Sequence, residues 1–339
     1  MSTIIAAFKD GWRRVVRAPA ILLGVWMLTL LIAVPAGRAI GASIAGSLGH
    51  SLEAGSMADG VNHEWWERFA ETAAGLDRTF TPTIIGFGAV LDNLSRFLDN
   101  GDLALGVASL AAAYLLVWLF LAGGVLDRYA RDRPTRVQAF FGACGTYFFR
   151  FLRLAVIGAI GYLFLFGLVH AWLFTSLFGW ATRDVTVERT AFLIRLGLYA
   201  GFLGLLAFWN VVMDYAKIRA VVEDRRSMLG AFLAGWRFVV GHPSKAGGLY
   251  CLNATAFLVV VLLYALVAPG ASGGVAAAWL AFAVGQAYLL ARLAVKLAFY
   301  ASQTSLFQRS LAHLAYTAAP EPVWPESPAA ESIANAAKE

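Results

Sequence analysis

The charged residues most able to form a binding site lie inside long apolar stretches of the sequence. Arg292 and Lys296 are four residues apart, which places both on one face of a helix. A cation surrounded by lipid is costly unless it reaches a headgroup or a polar partner. Two interpretations stay open: both side chains extend to the headgroup layer, or they form a site for an anion or lipid phosphate between helices. In the second, Arg292 points into the bundle and Asp214 is its expected countercharge.

Signatures of catalysis and metal binding are weak. His63-Glu64 is not followed by the second histidine that a zinc-protease helix needs. The sequence contains no G-x-x-x-x-G-K-[ST] phosphate-binding loop. Its two cysteines, Cys144 and Cys251, are too few for a disulfide framework. We therefore expect no enzyme activity, no cofactor and no metal.

The composition identifies the class of protein. Of the 339 residues, 60% are apolar and only 14% are charged, and the mean hydropathy is +0.67. A soluble domain carries about 25% charged residues, so this chain is expected to be an integral membrane protein. In a membrane protein, a net charge of +6 indicates how the chain is oriented in the bilayer rather than nucleic-acid binding. We therefore expect no nucleic-acid partner.

Six apolar stretches are long enough to cross a bilayer, which takes about 20 residues in a helix. Backbone groups in lipid must be paired within their own segment, so these stretches are predicted to be helices and the fold all-α. The predicted spans are 20–37, 103–126, 152–179, 191–215, 247–268 and 275–299.

The distribution of Lys and Arg predicts the orientation. The connections 127–153 and 214–246 each contain six basic residues, against two and three acidic ones, whereas 38–102 contains four Arg against nine Asp or Glu. Cytoplasmic loops are the basic ones. Both termini are therefore expected in the cytoplasm, with the protein in the inner membrane and an insertion, 39–101, outside the cell.

An internal repeat relates the N-terminal arm to a later segment. Residues 7–19 (AFKDGWRRVVRAP) and 231–243 (AFLAGWRFVVGHP) share eight of thirteen positions. Tyr129-Ala130, Tyr215-Ala216 and Tyr300-Ala301 then end alternate spans. We predict three units, about 4–130, 137–216 and 229–301, each a cytoplasmic amphipathic helix followed by a transmembrane hairpin. The prolines should bend the chain between helix and hairpin.

The amphipathic helices and the insertion carry candidate membrane anchors. In the first helix, Phe8, Trp12 and Val15 share a face, and the basic residues, Arg14 among them, take the other. Such helices either lie in the headgroup layer of an anionic leaflet or pack against each other beneath the bundle. The expected interfacial anchors are Trp12, Arg13, Trp236 and Arg237, together with Trp65 and Trp66 of the insertion.

The last residues differ from the rest. The membrane domain is predicted over 1–312, and 313–339 contains four of the ten prolines together with several glutamates. Such an acidic, proline-rich segment buries too little apolar surface to fold alone. We expect it to be a disordered cytoplasmic tail.

The pattern of an amphipathic helix before each of three hairpins resembles a group of bacterial six-helix membrane proteins, and is similar to the membrane domain attached to some glycerophosphodiester phosphodiesterases. The resemblance implies a membrane module without hydrolase activity. It provides no functional residue for this sequence.

Three hypotheses for function remain open, and the third, an intramembrane enzyme, has no catalytic signature to support it. The first is a non-catalytic module that binds lipids, through anionic headgroups on the cytoplasmic side, or a partner protein or second copy. The alternative is a transporter or channel-like protein for a small or anionic solute. Both draw on Arg292, Lys296 and Asp214. Single polar residues in the other spans are expected to form hydrogen bonds between helices: His170, Asn210, Asn253 and Gln286.

Overall fold

The computed structural model describes residues 2–49, 51–59, 62–80, 95–101, 105–268 and 275–313. Of these residues, 89% are helical and none is in a strand. Six helices in the described ranges are long and apolar enough to cross a membrane. They are α2 (Pro19–Leu48), α5 (Leu105–Arg131), α6 (Val137–Ala181), α7 (Glu188–Val222), α9 (Pro243–Val267) and α10 (Val275–His313). The protein is thus an all-helical, multi-pass membrane protein.

Four shorter α-helices, a 3₁₀ turn at Asp77–Thr79 and a helical turn over residues 95–98 complete the described fold. The four α-helices are α1 (Ser2–Val16), α3 (Glu53–Asp59), α4 (His63–Thr72) and α8 (Met228–Gly241). Helices α4 and α8 begin at side chains that cap a free backbone N–H: Asn62 accepts from the amide of Trp65, and Ser227 accepts from that of Gly230.

Two of the predicted bends occur at their prolines. Pro19 is the first residue of α2 and Pro243 the first of α9, positions where the missing N–H costs nothing. The residue before each proline leaves the helical conformation in the same way: φ and ψ are −129° and 54° at Ala18 and −134° and 51° at His242. Helices α1 and α8 therefore each end in the same type of elbow.

The expectation of a separate amphipathic helix before the third span is wrong. Residues 137–151 continue without a break into the span, as one helix from Val137 to Ala181. Phe151 occupies the position that Pro19 and Pro243 hold in the related segments, so nothing interrupts the helical hydrogen bonds there. The irregularity lies further along, where Phe164–Val169 and Trp172–Leu177 form wider π-type turns.

Three helix pairs make the most extensive contacts. Helix α1 packs along the last part of α10, the first part of α6 packs on α5, and α8 packs on α7. Glycine allows the close approach in the first and third pairs: a Cβ on Gly11 would lie 2.6 Å from the Cβ of Ser302, and one on Gly235 would lie 2.8 Å from the backbone N of Ala216. We call the layer formed by α1, α8 and residues 300–313 of α10 the collar.

The main hydrophobic core lies at the collar and the adjoining part of the bundle. The three tyrosines of the Tyr-Ala pairs, Tyr129, Tyr215 and Tyr300, are buried in it. Away from the collar the spans expose large apolar side chains, such as Leu31, Leu163 and Leu266. A surface of this kind is stable only in an apolar surrounding, as the bilayer provides.

Helix α2 extends beyond its predicted end at residue 37 and continues to Leu48. Its 30 residues span about 45 Å, more than the hydrocarbon thickness of about 30 Å. The extension has a packing partner, because Ile44 and Leu48 contact a cluster built on Trp65 and Phe69. The first part of the 39–101 insertion is thus helical. Of the predicted tail, 313–339, His313 is still helical at the end of α10, and residues 314–339 lie outside the described residues.

Candidate anion-binding site

Arg292, Lys296 and Asp214 lie in the part of the bundle where α5, α7 and α10 meet, next to the collar. Each helix contributes polar or aromatic side chains at this level. They are Tyr114 and Trp118 from α5, Asp214 and Lys217 from α7, and Arg292, Lys296, Tyr300 and Gln303 from α10. We call this set of eight residues the basic cluster.

Lys296 interacts with aromatic rings rather than with a carboxylate. Its Nζ lies 3.6 Å from the centroid of the Trp118 ring and 5.0 Å from that of Tyr114, and it donates a hydrogen bond of 3.3 Å to the Tyr114 hydroxyl. The ring faces attract a cation, but they carry no charge. No described carboxylate lies within ion-pair distance of Lys296, so its charge is not neutralised by the chain described here.

Asp214 pairs with Lys217 rather than with Arg292. The Lys217 Nζ lies 2.8 Å from one Asp214 oxygen, and Gln303 donates to the other over 3.4 Å. The expectation that Arg292 points into the bundle toward Asp214 is wrong, since Arg292 is exposed and has no hydrogen bond or ion pair to a described residue. The pairing follows from spacing, because Asp214 and Lys217 are three residues apart on one helix.

The Tyr300 hydroxyl links the two lysine environments. It accepts a hydrogen bond of 3.0 Å from the Trp118 indole N–H and one of 3.3 Å from Lys217. Its ring also lies 5.2 Å from the Lys217 Nζ. The cluster thus contains three basic side chains and one carboxylate, that of Asp214.

The four predicted anchors of α1 and α8 lie on the collar. Trp12 is half-buried against the core, while Trp236 is 40% exposed and contacts Phe208 edge-to-face. Arg13 pairs with Asp10, and Arg237 is exposed. The side chains of Trp236 and Arg237 therefore remain available to a membrane surface.

Trp65, by contrast, is not available as an anchor. It is 3% exposed and stacks on Phe69 in the cluster that covers the end of α2. Its large apolar surface is already buried against its own chain, which removes the reason for it to enter the headgroup layer. Trp66 is half-buried, and its indole N–H donates to the carbonyl of Phe80 over 2.9 Å.

The predicted interhelical role of the single polar residues is confirmed at three positions. Asn210 accepts from Tyr162 of α6, Asn253 donates to Ser302 of α10, and Gln286 accepts from Trp26 of α2. The fourth, His170, is hydrogen-bonded through Nε2 to the carbonyl of Leu98 over 2.8 Å. All four side chains thus have hydrogen-bond partners within the chain.

A buried polar network joins α1 to the end of α10, and the amphipathic pattern did not predict it. Arg14 was assigned to the solvated face but is only 8% exposed; it binds Asp10, the carbonyl of Tyr129 and the side chain of Gln308. Burial raises the pKa of Asp10, but a hydrogen bond from Ser305 and the guanidinium of Arg14 outweigh it and hold the pKa below its usual value. In the sequence, the Asp-x-x-x-Arg spacing of Asp10 and Arg14 was the one feature that indicated an ion pair between them.

The described residues contain no group of three His, Cys, Asp or Glu side chains that could hold a metal ion. Comparison of the chain with protein families, with curated proteins and with solved structures finds no match.

Proposed function

We propose that this membrane protein is a non-catalytic module that binds the anionic headgroup of a membrane lipid at the basic cluster. The observation that carries the proposal is Lys296: its ammonium lies on the Trp118 ring and has no described carboxylate partner, and Arg292 lies one helical turn away on the same helix. Excess charge of one sign is unfavourable where solvent screening is weak. An anion bound between Lys296 and Arg292 would relieve it.

The position of the cluster supports a lipid as the source of the anion. Tyr300 belongs to the collar, and Lys296 lies one helical turn away from it, about 6 Å along α10. Arg292, one turn further, is exposed, so it would be accessible to a lipid headgroup. A phosphate at this level would carry its acyl chains along the apolar outer face of the spans, whereas Asp214 would keep Lys217 in place.

We also propose the three-unit organisation. In support, Gly11 and Gly235 occupy equivalent positions and both lie against a residue just after a buried Tyr-Ala tyrosine, Ser302 and Ala216. Each pre-hairpin segment also packs on the last span of a different unit: α1 on α10, the start of α6 on α5, and α8 on α7. This cyclic order, first unit on third, second on first and third on second, is what three units around one axis would give.

The topology is a proposal of the same kind. The excess of Lys and Arg in 127–153 and 214–246 supports a cytoplasmic collar with both termini on that side, in a bacterial inner membrane. The kinship with membrane domains of glycerophosphodiester phosphodiesterases likewise remains a proposal.

Lipid retention by variants tests the proposed site. The purified full-length protein is incubated with vesicles of equal parts phosphatidylglycerol and phosphatidylcholine, and native mass spectrometry counts the lipids that stay bound. Hydrogen bonds to charged groups contribute about 1.5–3 kcal/mol, so Lys296→Met should lower phosphatidylglycerol retention at this site at least about tenfold, counted as the loss of one bound lipid per protein. Arg292→Leu should lower it less, because that side chain is exposed.

Arg153→Leu is the matched control. Arg153 is also an exposed arginine on a spanning helix, and among the described residues its guanidinium binds the carbonyl of Phe149 in its own helix and no other group. Its loss should leave retention unchanged. If the Lys296 and Arg292 variants retain phosphatidylglycerol as well as this control does, the two cations merely extend to the headgroup layer and the proposed site does not exist.

A further inference from the structure

A second region of the molecule combines an apolar cavity with unpartnered polar atoms. The cavity, of about 370 Å³, lies between the elbow that joins α1 to α2 and the turn that joins α5 to α6. Most of its lining is apolar, including Val25, Leu28 and Phe140, and three polar residues, Arg17, Arg128 and Thr135, line the collar end. It shares no residue with the basic cluster.

Arg128 is the unusual member of this lining. It is only 7% exposed, and its Nη1 atom is closed off from solvent without a hydrogen-bond partner in the described chain. No described carboxylate forms an ion pair with it. The neighbouring carboxylate, Asp127, instead binds Arg131 over 2.8 Å. A buried charge left in this state is strongly unfavourable.

Thr135 adds a second buried polar atom to the same cavity. Its Oγ1 also has no hydrogen-bond partner among the described residues. Arg17, at the mouth of the cavity, is exposed and adds another positive charge. Two buried polar atoms without described partners and a further cation, at one end of an apolar cavity, suit an anionic group with several oxygen atoms.

We infer that this cavity binds a phospholipid with an anionic headgroup. Its phosphate lies at Arg128 and Thr135, and the part of an acyl chain next to the headgroup lies along α2. The dimensions fit this occupant. The lining follows α2 from Pro19 to Leu28, and the nine helical steps between these residues correspond to about 14 Å. A soluble anion would use the arginine end and leave this apolar wall without a partner.

Two variants test separately the charge of Arg128 and the open volume of the cavity. Arg128→Leu removes the guanidinium and leaves the cavity open. Gly24→Phe fills the cavity, because Gly24 lines it and a Cβ added there would meet no atom within 4 Å. Gly37→Phe is the matched control on the same helix: its Cβ also meets nothing within 4 Å, but Gly37 does not line the cavity.

The full-length protein is incubated with vesicles of equal parts phosphatidylglycerol and phosphatidylcholine, with and without an excess of inorganic phosphate, and bound lipid is counted by native mass spectrometry. In a Lys296→Met background, which removes the basic cluster from the comparison, Arg128→Leu should lower phosphatidylglycerol retention at least about tenfold. Gly24→Phe should lower it by a similar factor even if the arginine variant fails to fold, and Gly37→Phe should leave it unchanged.

Three outcomes would overturn the inference. One is phosphatidylglycerol retention that neither Arg128→Leu nor Gly24→Phe reduces. Another is complete displacement of the lipid by inorganic phosphate, which would mean that the site takes a free anion. The third is crosslinking of the acidic 314–339 segment into the cavity of the wild-type protein. Loss of retention in the Lys296→Met protein alone, with no effect of Arg128→Leu, would overturn this inference and leave the proposed function intact.

Discussion

Replacing Asp10 by Asn should detach α1 from the end of α10. The Asp10 carboxylate is 6% exposed and receives hydrogen bonds from Arg14 and Ser305 at 3.0 and 2.8 Å. Removing one partner of a buried ion pair costs about 3–5 kcal/mol. We expect the lower end, about 3 kcal/mol, because Asn keeps an acceptor for Ser305 and Arg14 keeps the carbonyl of Tyr129. This corresponds to a factor of about 150 in the equilibrium for releasing α1.

Hydrogen exchange of the α1 amides, read by mass spectrometry in detergent, measures this equilibrium. In the Asp10→Asn protein these amides should exchange up to about 150 times faster, while those of α5 change little. Acid should act in the same direction: the lowered pKa of Asp10 means that its contribution is complete above the unfolded value of about 3.9 and is lost as pH falls through the lower folded value.

Arg13→Gln provides the control for this experiment. Arg13 also pairs with Asp10, but its side chain is 55% exposed, and exposed ion pairs contribute about 0–1 kcal/mol. Its loss should hardly change exchange in α1. Equal exchange in the wild-type and Asp10→Asn proteins, or equal effects of the two variants, would refute the reasoning that the buried network fastens α1.

Two further predictions concern close packing and the strap formed by residues 95–101. Gly235→Leu should lower the melting temperature, because a Cβ there would lie 2.8 Å from the backbone N of Ala216, whereas Gly142→Leu should not, because nothing lies within 4 Å; equal melting temperatures would contradict the close approach. At the strap, a hydrogen bond from Tyr199 is the main cause that holds the pKa of Asp99 below its usual value. Limited proteolysis of the strap should therefore accelerate as pH falls below about 4, and already at neutral pH in Tyr199→Phe; a strap equally resistant in that variant would contradict the contact.

Much of the fold follows from the sequence alone. The six spans are predictable because a bilayer demands about 20 apolar residues in a helix, and the two elbows because proline ends a helical run. The same rule explains the error at the third span: Phe151 stands where a proline was needed, so the helix continues through it. The extension of α2 to Leu48 depends on its contact with the Trp65 cluster, which periodicity does not report.

The candidate site was only partly predictable. Arg292 and Lys296 are conspicuous in an apolar helix, but the residues that define their surroundings come from other helices. In the sequence, Trp118 has the pattern of a core residue and Lys217 that of a charge near a helix end. Their contacts with Lys296 and Tyr300 depend on the packing of α5 and α7 beside α10. The prediction for Arg14 was wrong for the same reason: the side chain was assigned to the solvated face of α1 but is buried where α1 packs on α10.

A high-resolution cryo-EM structure of the full-length protein in nanodiscs containing phosphatidylglycerol tests the central claim most directly. Lys296 has no described carboxylate partner, so the account predicts density for a lipid phosphate within hydrogen-bond distance of its Nζ, on the side of α10 where Arg292 lies. The account would be contradicted if Lys296 Nζ were solvated by water alone in a continuous aqueous path through the bundle, which is the arrangement that a transporter would need.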